Sequence, residues 1–385
     1  MGELKPGWRR VKFGQLAECV NDRVDDPSQA GVDRYVGLEH LDPESLTIRR
    51  WGMPDQVEST KLRFRPGDII FGKRRAYQRK LAVADFEGIC SAHAMVLRAR
   101  PGEVLAEFLP FFMQSDTFME RAQAISVGSL SPTINWKTLA AEEFSLPPLE
   151  VQRRLVKLLL AAGEAVESLA AAGKCADDVC RAIADTHFSN RNSPAVALGD
   201  AAILVTKGES PNWQGFGYVD SGIPFITSEN VLLGKIDLSS PKYIPSEFHA
   251  KLARSQLRPG DVLINIVGAS IGRAAVVPPY IAEGNTNQAV AVVRVDPLRL
   301  LPEYFCQWFL ASGAQRQIRS QQVNTARANI SLGDIRSLQV PIPSLVEQHA
   351  LVDRIAACRV GERSLGRHAE VLRQLRIHAV SEALS

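Results

Sequence analysis

Residues 64–70 read FRPGDII and residues 257–263 read LRPGDVL. In each, proline presets φ for a turn, glycine admits a left-handed residue, and the β-branched run that follows suits a strand. One such turn would mark only a loop. Its return in the second half points to self-similarity, and three further pairs keep the same order. Val11-Lys12-Phe13-Gly14-Gln15-Leu16-Ala17 returns as Val196-Ala197-Leu198-Gly199-Asp200-Ala201-Ala202, and Tyr35-Val36-Gly37-Leu38-Glu39 answers Phe225-Ile226-Thr227-Ser228-Glu229. LPPLEVQ at 146–152 answers PIPSLVEQ at 341–348. The offset drifts only from 185 to 196 residues, so the 385-residue chain is two copies of one unit.

Each copy opens with a region rich in glycine and proline and closes with a long helical pattern. Short helical stretches at 106–113 and 302–310 are expected to pack on the strands, which makes each globule a mixed α/β (α+β) body. In the first helical segment Leu155, Leu159, Ala162, Val166, Leu169, Gly173, Ala176, Cys180 and Ile183 recur at alternating spacings of four and three, a heptad seam. Leu351, Ile355, Cys358, Glu362, Leu365, Ala369, Leu372, Arg376 and Ala379 keep that register in the second, and Ser344 with Glu347 forms a capping box. The seams are expected to bury each other, with Leu155, Leu159, Val166, Leu169, Leu351, Ile355, Leu365 and Leu372 at their core. The expected layout is a first globule at 1–148, a long helix at 149–190, a second globule at 191–343 and a second long helix at 344–385. Two antiparallel helices of this kind would relate the globules by a pseudo-two-fold internal repeat.

Composition excludes several classes. The chain is 45% hydrophobic and 23% charged with a net charge of +3, ordinary for a globular protein. Its opening, MGELKPGWRRVKFG, has no apolar h-region, and no apolar run reaches the roughly 20 residues that span a bilayer. A cytoplasmic protein without a membrane partner is expected. The six cysteines show no CxxC pair, and they read as reduced, packed thiols rather than a disulfide framework or a zinc site.

Catalytic motifs fail on chemistry. Val277-Pro278-Pro279-Tyr280 has the outline of an amino-methyltransferase loop, but valine cannot accept a hydrogen bond from a target amine. Pro54-Asp55 with Glu58 and Lys61 has the wrong spacing for a nuclease. Gly268 and Gly272 lie in no GxxxxGK[ST], and the seven histidines form no HExxH. A non-enzymatic protein without a cofactor of its own is expected.

Charge is concentrated in one place. Residues 71–80, FGKRRAYQRK, hold five cations in a chain of net charge +3. Lys73, Arg74, Arg75, Arg79 and Lys80 suit phosphate oxygens and guanine edges, and Tyr77 could pack on a sugar or base. The turn alignment sets this stretch opposite INIVGASIGR at 264–273, where Ser270, Arg273, Asn285, Asn287 and Gln288 form a polar, amide-rich group suited to adenine edges. Arg327 and Asn329 extend that group. Two unlike globules held apart by a helical spacer match the half-site geometry of duplex DNA.

The plan resembles the specificity subunit of a type I restriction-modification enzyme. The resemblance covers nearly the whole chain and rests on the opening from Trp8 to Gly14, the RPGD turns, FSLPPLEVQRRL and LQVPIPSLVEQHAL before the long helices, and Gly272 with Asn287-Gln288. It implies two target recognition domains that each read one half of a split, asymmetric double-stranded DNA sequence. It also implies partners: two copies of a methyltransferase (M) subunit, and restriction (R) subunits for cleavage. S-adenosylmethionine, ATP and Mg would belong to those partners. Two other readings remain open from the residues alone, a helical adaptor whose globules hold proteins rather than DNA and a stand-alone restriction enzyme with cryptic chemistry.

Overall fold

The computed structural model describes residues 4–189, 194–322 and 329–384, and the chain divides into two compact units. Unit 1 comprises Met1–Ala170 with Gly366–Ser385, and unit 2 comprises Ala171–Leu365. Each unit therefore contains a globule and a segment from each of two long helices, α1 (Leu149–Ser189, 41 residues) and α2 (Leu345–Leu384, 40 residues).

In unit 1 the main sheet consists of β1 (Ala17–Val20), β2 (Ile69–Gly72), β3 (Leu81–Val83) and β4 (Ala94–Ala99), ordered β1-β4-β2-β3 and antiparallel throughout. Unit 2 repeats it with β5 (Ala202–Lys207), β6 (Val262–Asn265), β7 (Ala274–Val276) and β8 (Val290–Val295), ordered β5-β8-β6-β7. A two-stranded ribbon closes each unit, Arg9–Lys12 with Glu143–Leu146 and Ala195–Ala197 with Gln339–Pro341. The smaller sheets share a parallel pair, Tyr35–Val36 beside Gly88–Ser91 and Ile223–Ile226 beside Asn285–Thr286. Both are extended on either side of that pair but to different extents: the first has full strands beside Gly88–Ser91 and a single bridge, Tyr35 to Gly52, on the other side, and the second has Lys242–Ile244 beside Ile223–Ile226 and a single bridge, Leu257 to Gly284.

The RPGD elements show why an acid follows the glycine. Gly67 and Gly260 both sit at φ 89°, the left-handed residue of a Pro-Gly turn. Asp68 accepts from the Arg65 amide at 2.9 Å and grips Arg98 on β4 through Nε at 2.8 Å and Nη2 at 3.0 Å. Asp261 repeats this with the Arg258 amide at 2.8 Å and with Arg294 on β8 at 2.7 and 2.8 Å. Both aspartates are 1% exposed, so each turn is clamped to the neighbouring strand by a bidentate pair whose carboxylate is buried and whose guanidinium reaches solvent.

The cores follow from sheet and helix faces. In unit 1, Phe13, Phe71, Phe108, Phe112, Phe118 and Phe144 meet under the main sheet, joined by Leu159 of α1 and Val380 of α2. In unit 2, Phe305, Phe309 and Ile264 cluster with Ala184 of α1 and with Leu351 and Ile355 of α2. Within each unit the helix segments run antiparallel. In unit 2 Leu365 lies beside Gly173 while Cys358 meets Cys180, and in unit 1 Arg376 Nη1 lies 3.2 Å from where a Cβ on Gly163 would stand. All the seam residues are buried or half-buried, including Leu155, Val166, Leu169, Leu365 and Leu372.

The packed thiols include one facing pair. Cys180 and Cys358 meet across the helix pair with their Cα atoms 6.1 Å apart, within disulfide reach. The antiparallel register brings together residues 178 apart in sequence, which no local cysteine spacing could reveal. Cys90 and Cys306 are buried free thiols, each pushed up to about 12 by burial. Among the described residues no helix is long and apolar enough to cross a membrane.

The clamp is testable. Asp261→Ala leaves Arg294 without its carboxylate and should lower stability by about 3 kcal/mol, whereas Asp261→Ala combined with Arg294→Met should recover most of that loss. Urea unfolding of the full chain reads both, and a D261A midpoint equal to wild type would show that the pair contributes nothing.

Candidate nucleic-acid interface

The strand β2 delivers the chain into the basic loop, and β3 takes it out. The loop closes where the Gly72 amide meets Lys80 O at 2.9 Å, and Ala76 is buried beneath a short turn of 3-10 helix at Ala76–Gln78. Its second tether is a hairpin formed by residues 127–133. Val127 and Thr133 exchange both backbone bonds, Arg74 bridges to Thr133, the Arg75 amide donates to Pro132 O at 2.8 Å and the Ile134 amide to Lys73 O at 3.0 Å.

The five cations of the loop divide in two. Arg79 donates to Asp116 Oδ1 at 2.7 Å and to Gln114 O at 2.5 Å, and Lys80 Nζ donates to Leu38 O at 2.8 Å. Burial raises the Asp116 carboxyl, but the Arg79 bonds outweigh it and hold the group below its usual value. Arg79 and Lys80, expected to face DNA, are half-buried with their charged ends bonded to the domain's own framework. Lys73, Arg74, Arg75 and Tyr77 form the outer part, with Arg75 exposed and Tyr77 54% exposed. Arg74 and Arg75 both donate to Ser131 Oγ, at 3.1 and 3.4 Å, so the loop and the hairpin form one surface. The His93 imidazole beside them is lowered, first by burial and then by Arg74, Lys73 and Lys61.

The second domain builds the same loop from different residues. The Asn265 amide meets Arg273 O at 2.9 Å, the Ile330 amide meets Ile266 O at 2.9 Å, and Val267 bridges to Asn329. The left-handed positions coincide in the two loops. Gly268 at φ 79° and Gly272 at φ 86° take the places of Arg75 at φ 58° and Arg79 at φ 52°. Glycine adopts this conformation without cost, whereas for arginine it is strained by about 1 kcal/mol or more. At Arg79 the bonds to Asp116 and Gln114 explain the residue. At Arg75 the one side-chain partner among the described residues is Ser131, so the fold supplies little reason for an arginine there.

Of the amide group, Asn285 does not reach a surface. It is 0% exposed, accepts from Ser255 Oγ at 2.6 Å and donates to Leu252 O at 3.2 Å, because its place in the parallel strand pair turns it inward. This corrects its placement as a base contact. Asn287 accepts from the Ala289 amide at 3.1 Å, and Gln288 is half-buried with its Oε1 lacking a hydrogen-bond partner among the described residues. Ser270 and Arg273 are half-buried at the two ends of the loop's turn, and Asn329 is exposed. Arg327 lies outside the described residues.

Sequence reasoning missed Ser131 and the hairpin that carries it. The stretch SVGSLSPT at 126–133 is dense in turn formers, and that signal could have marked it. As built, the first domain presents guanidinium groups beside apolar and hydroxyl groups, and the second presents Val267, Gly268 and Ala269 on the same scaffold. Cations of this kind can hold phosphates and read guanine edges, and small apolar residues permit close approach to a groove. Among the described residues no cluster of histidine, cysteine and acid is placed to hold a metal ion.

Comparison with known proteins bears on the family and the fold. A family model described as the type I restriction modification DNA specificity domain matches twice, over residues 29–169 and 218–358. The Type I restriction enzyme EcoBI specificity subunit of Escherichia coli is 32% identical over 139 residues, 36% of this chain and 28% of that protein. The EcoDI specificity subunit of Escherichia coli is 30% identical over 154 residues, 39% and 33% of the respective lengths. The matches thus span a third or less of these relatives. In fold, a chain solved in work on complex assembly and conformational transition of the type I R-M system superposes with a TM-score of 0.65 at 22% identity, covering 100% of this chain and 99% of that one. The type I restriction-modification S subunit from M. genitalium gives 0.52 at 14% identity, covering 100% and 97%. With both halves matched and more than two thirds of its residues covered, the chain belongs to the type I restriction-modification DNA specificity domain family.

Proposed function

We propose that this chain is the DNA-sequence specificity subunit of a type I restriction-modification assembly, acting by binding rather than by catalysis. The observation that carries this reading is the paired loop. One backbone, with left-handed residues at corresponding positions, offers Arg74, Arg75 and Tyr77 in the first domain and Val267, Gly268 and Ala269 in the second. A protein selected only for folding would have little reason to keep the backbone and exchange the chemistry. Two readers of different half-sites would, and the target is then bipartite and asymmetric.

Division of labour follows from the chemistry. The long helices act as the spacer between half-sites and as the docking surface for two methyltransferase subunits, with restriction subunits joining for cleavage. S-adenosylmethionine, ATP and Mg would be held by those partners, in the cytoplasm. The relatives named as specificity subunits of restriction enzymes support this assignment.

The test separates DNA-binding residues from framework. In the full chain assembled with its methyltransferase partner, Arg74→Ala with Arg75→Ala should weaken duplex binding. The double change should also flatten the dependence of log K on log salt by about 0.9 for each phosphate that is no longer neutralised. Arg79→Ala should lower the melting temperature, since it strips a partner from Asp116, and leave the salt slope unchanged. A protein adaptor would give no salt-sensitive retention of duplex DNA in the first place.

A further inference from the structure

The hairpin at 127–133 has no structural reason to be as apolar as it is. Val127 is 79% exposed and Leu130, at the tip, 91% exposed, the highest value among the exposed large hydrophobic residues described. A solvated loop loses nothing by placing serine or asparagine there, and a leucine left in water forgoes the burial its side chain would otherwise gain. The hairpin is also held firmly rather than hanging free. Val127 and Thr133 exchange backbone bonds at 3.1 and 3.0 Å, and Arg74, Arg75 and Lys73 tie it to the basic loop. The apolar tip therefore stands at a fixed place beside Lys73, Arg74 and Arg75, with Tyr77 exposed on the same loop.

Charge decides which partner such a surface fits. Lys73, Arg74 and Arg75 are all bonded to the hairpin through backbone or side chain, so the neighbourhood favours a polyanion. Duplex DNA offers both complements at once: phosphates for the guanidinium groups, and thymine methyl and deoxyribose carbons for an apolar side chain entering a groove. A protein partner would be expected to meet the same leucine with an apolar socket and to find three cations beside it costly to desolvate.

We propose that the 127–133 hairpin is a DNA-contacting element of the first domain, with Leu130 packing against the apolar surface of the groove while Arg74 and Arg75 hold flanking phosphates. This rests on the reading of the chain as a DNA specificity subunit and adds a specificity determinant outside the basic cluster. Arg75 is kept in a left-handed conformation, where the second domain uses Gly268, because its side chain is needed at that phosphate.

The experiment uses the full chain assembled with its methyltransferase subunits and a duplex selected from a random-sequence pool by the wild-type complex. Leu130→Ala should weaken binding to that duplex about ten-fold with an unchanged salt slope, because an apolar contact releases no counterions. Leu130→Met should stay within about two-fold, since it keeps the apolar volume. Neither change should move the melting temperature of a side chain this exposed. If the wild-type complex binds and L130A binds equally well, the inference fails while the DNA reading stands. It is also overturned if L130A impairs assembly with the methyltransferase and the complexes that do form bind DNA normally, which would make the hairpin a protein contact. A wild-type complex that selects no duplex at all overturns both readings, and the two kinds of failure are thereby distinguished.

Discussion

Each long helix is fastened to its globule by one buried carboxamide. Gln152 Oε1 accepts the Leu105 amide at 2.9 Å and its Nε2 donates to Pro147 O at 2.9 Å. Gln348 does the same with the Leu301 amide at 2.8 Å and with Arg299 O and Pro343 O, each at 2.9 Å. Both are essentially without exposure. A buried amide left unpaired costs a large part of a domain's net stability, so the direction in which the helix leaves the globule is set within narrow limits. Every later contact of that helix depends on this start. The far end is fixed by chemistry of the same kind, with roles exchanged: in unit 1 Ser381 of α2 meets Asp116 at 3.1 Å, and in unit 2 Asp185 of α1 meets Ser312 at 2.7 Å. Each globule is thus completed by the start of its own helix and the end of the other.

Duplication on such a scaffold allows divergence only where nothing depends on the residue. The clamped RPGD turns, the ribbon and the carboxamides are kept in both copies because each satisfies buried polar groups. The small sheets differ in extent, and the loops after β2 and β6 keep their backbone while exchanging their residues. Arginine at a left-handed position in one copy and glycine in the other is the clearest trace of this freedom. Sequence-specific readers of unlike half-sites require that combination of constancy and change.

Much of this was legible in the sequence because it is local or repeated. Two RPGD turns, two seams and two PPLEVQ-like starts lie in short windows whose physics is decided by neighbours in the chain. What escaped notice was long-range. Cys180 and Cys358 read as separate thiols, since only the antiparallel register brings them together. Arg79 and Lys80 read as two more surface cations because their partners lie at Asp116, Gln114 and Leu38, far away in sequence. Asn285 read as a base contact because its composition is polar, while strand pairing decides that it points inward. The hairpin was overlooked for the opposite reason: an exposed leucine in a serine-rich turn gives no periodic signal.

The central claim is that one chain reads two different half-sites with two copies of one domain. Sequencing of modified bases in DNA from cells that carry this chain with its methyltransferase partner tests it most directly, comparing wild type with a chain altered only at Arg74, Arg75 and Leu130. The account predicts methylation at a split, asymmetric sequence, with the altered chain degrading preference in one half and leaving the other half and the spacing unchanged. A continuous target, or loss of preference in both halves together, would contradict it.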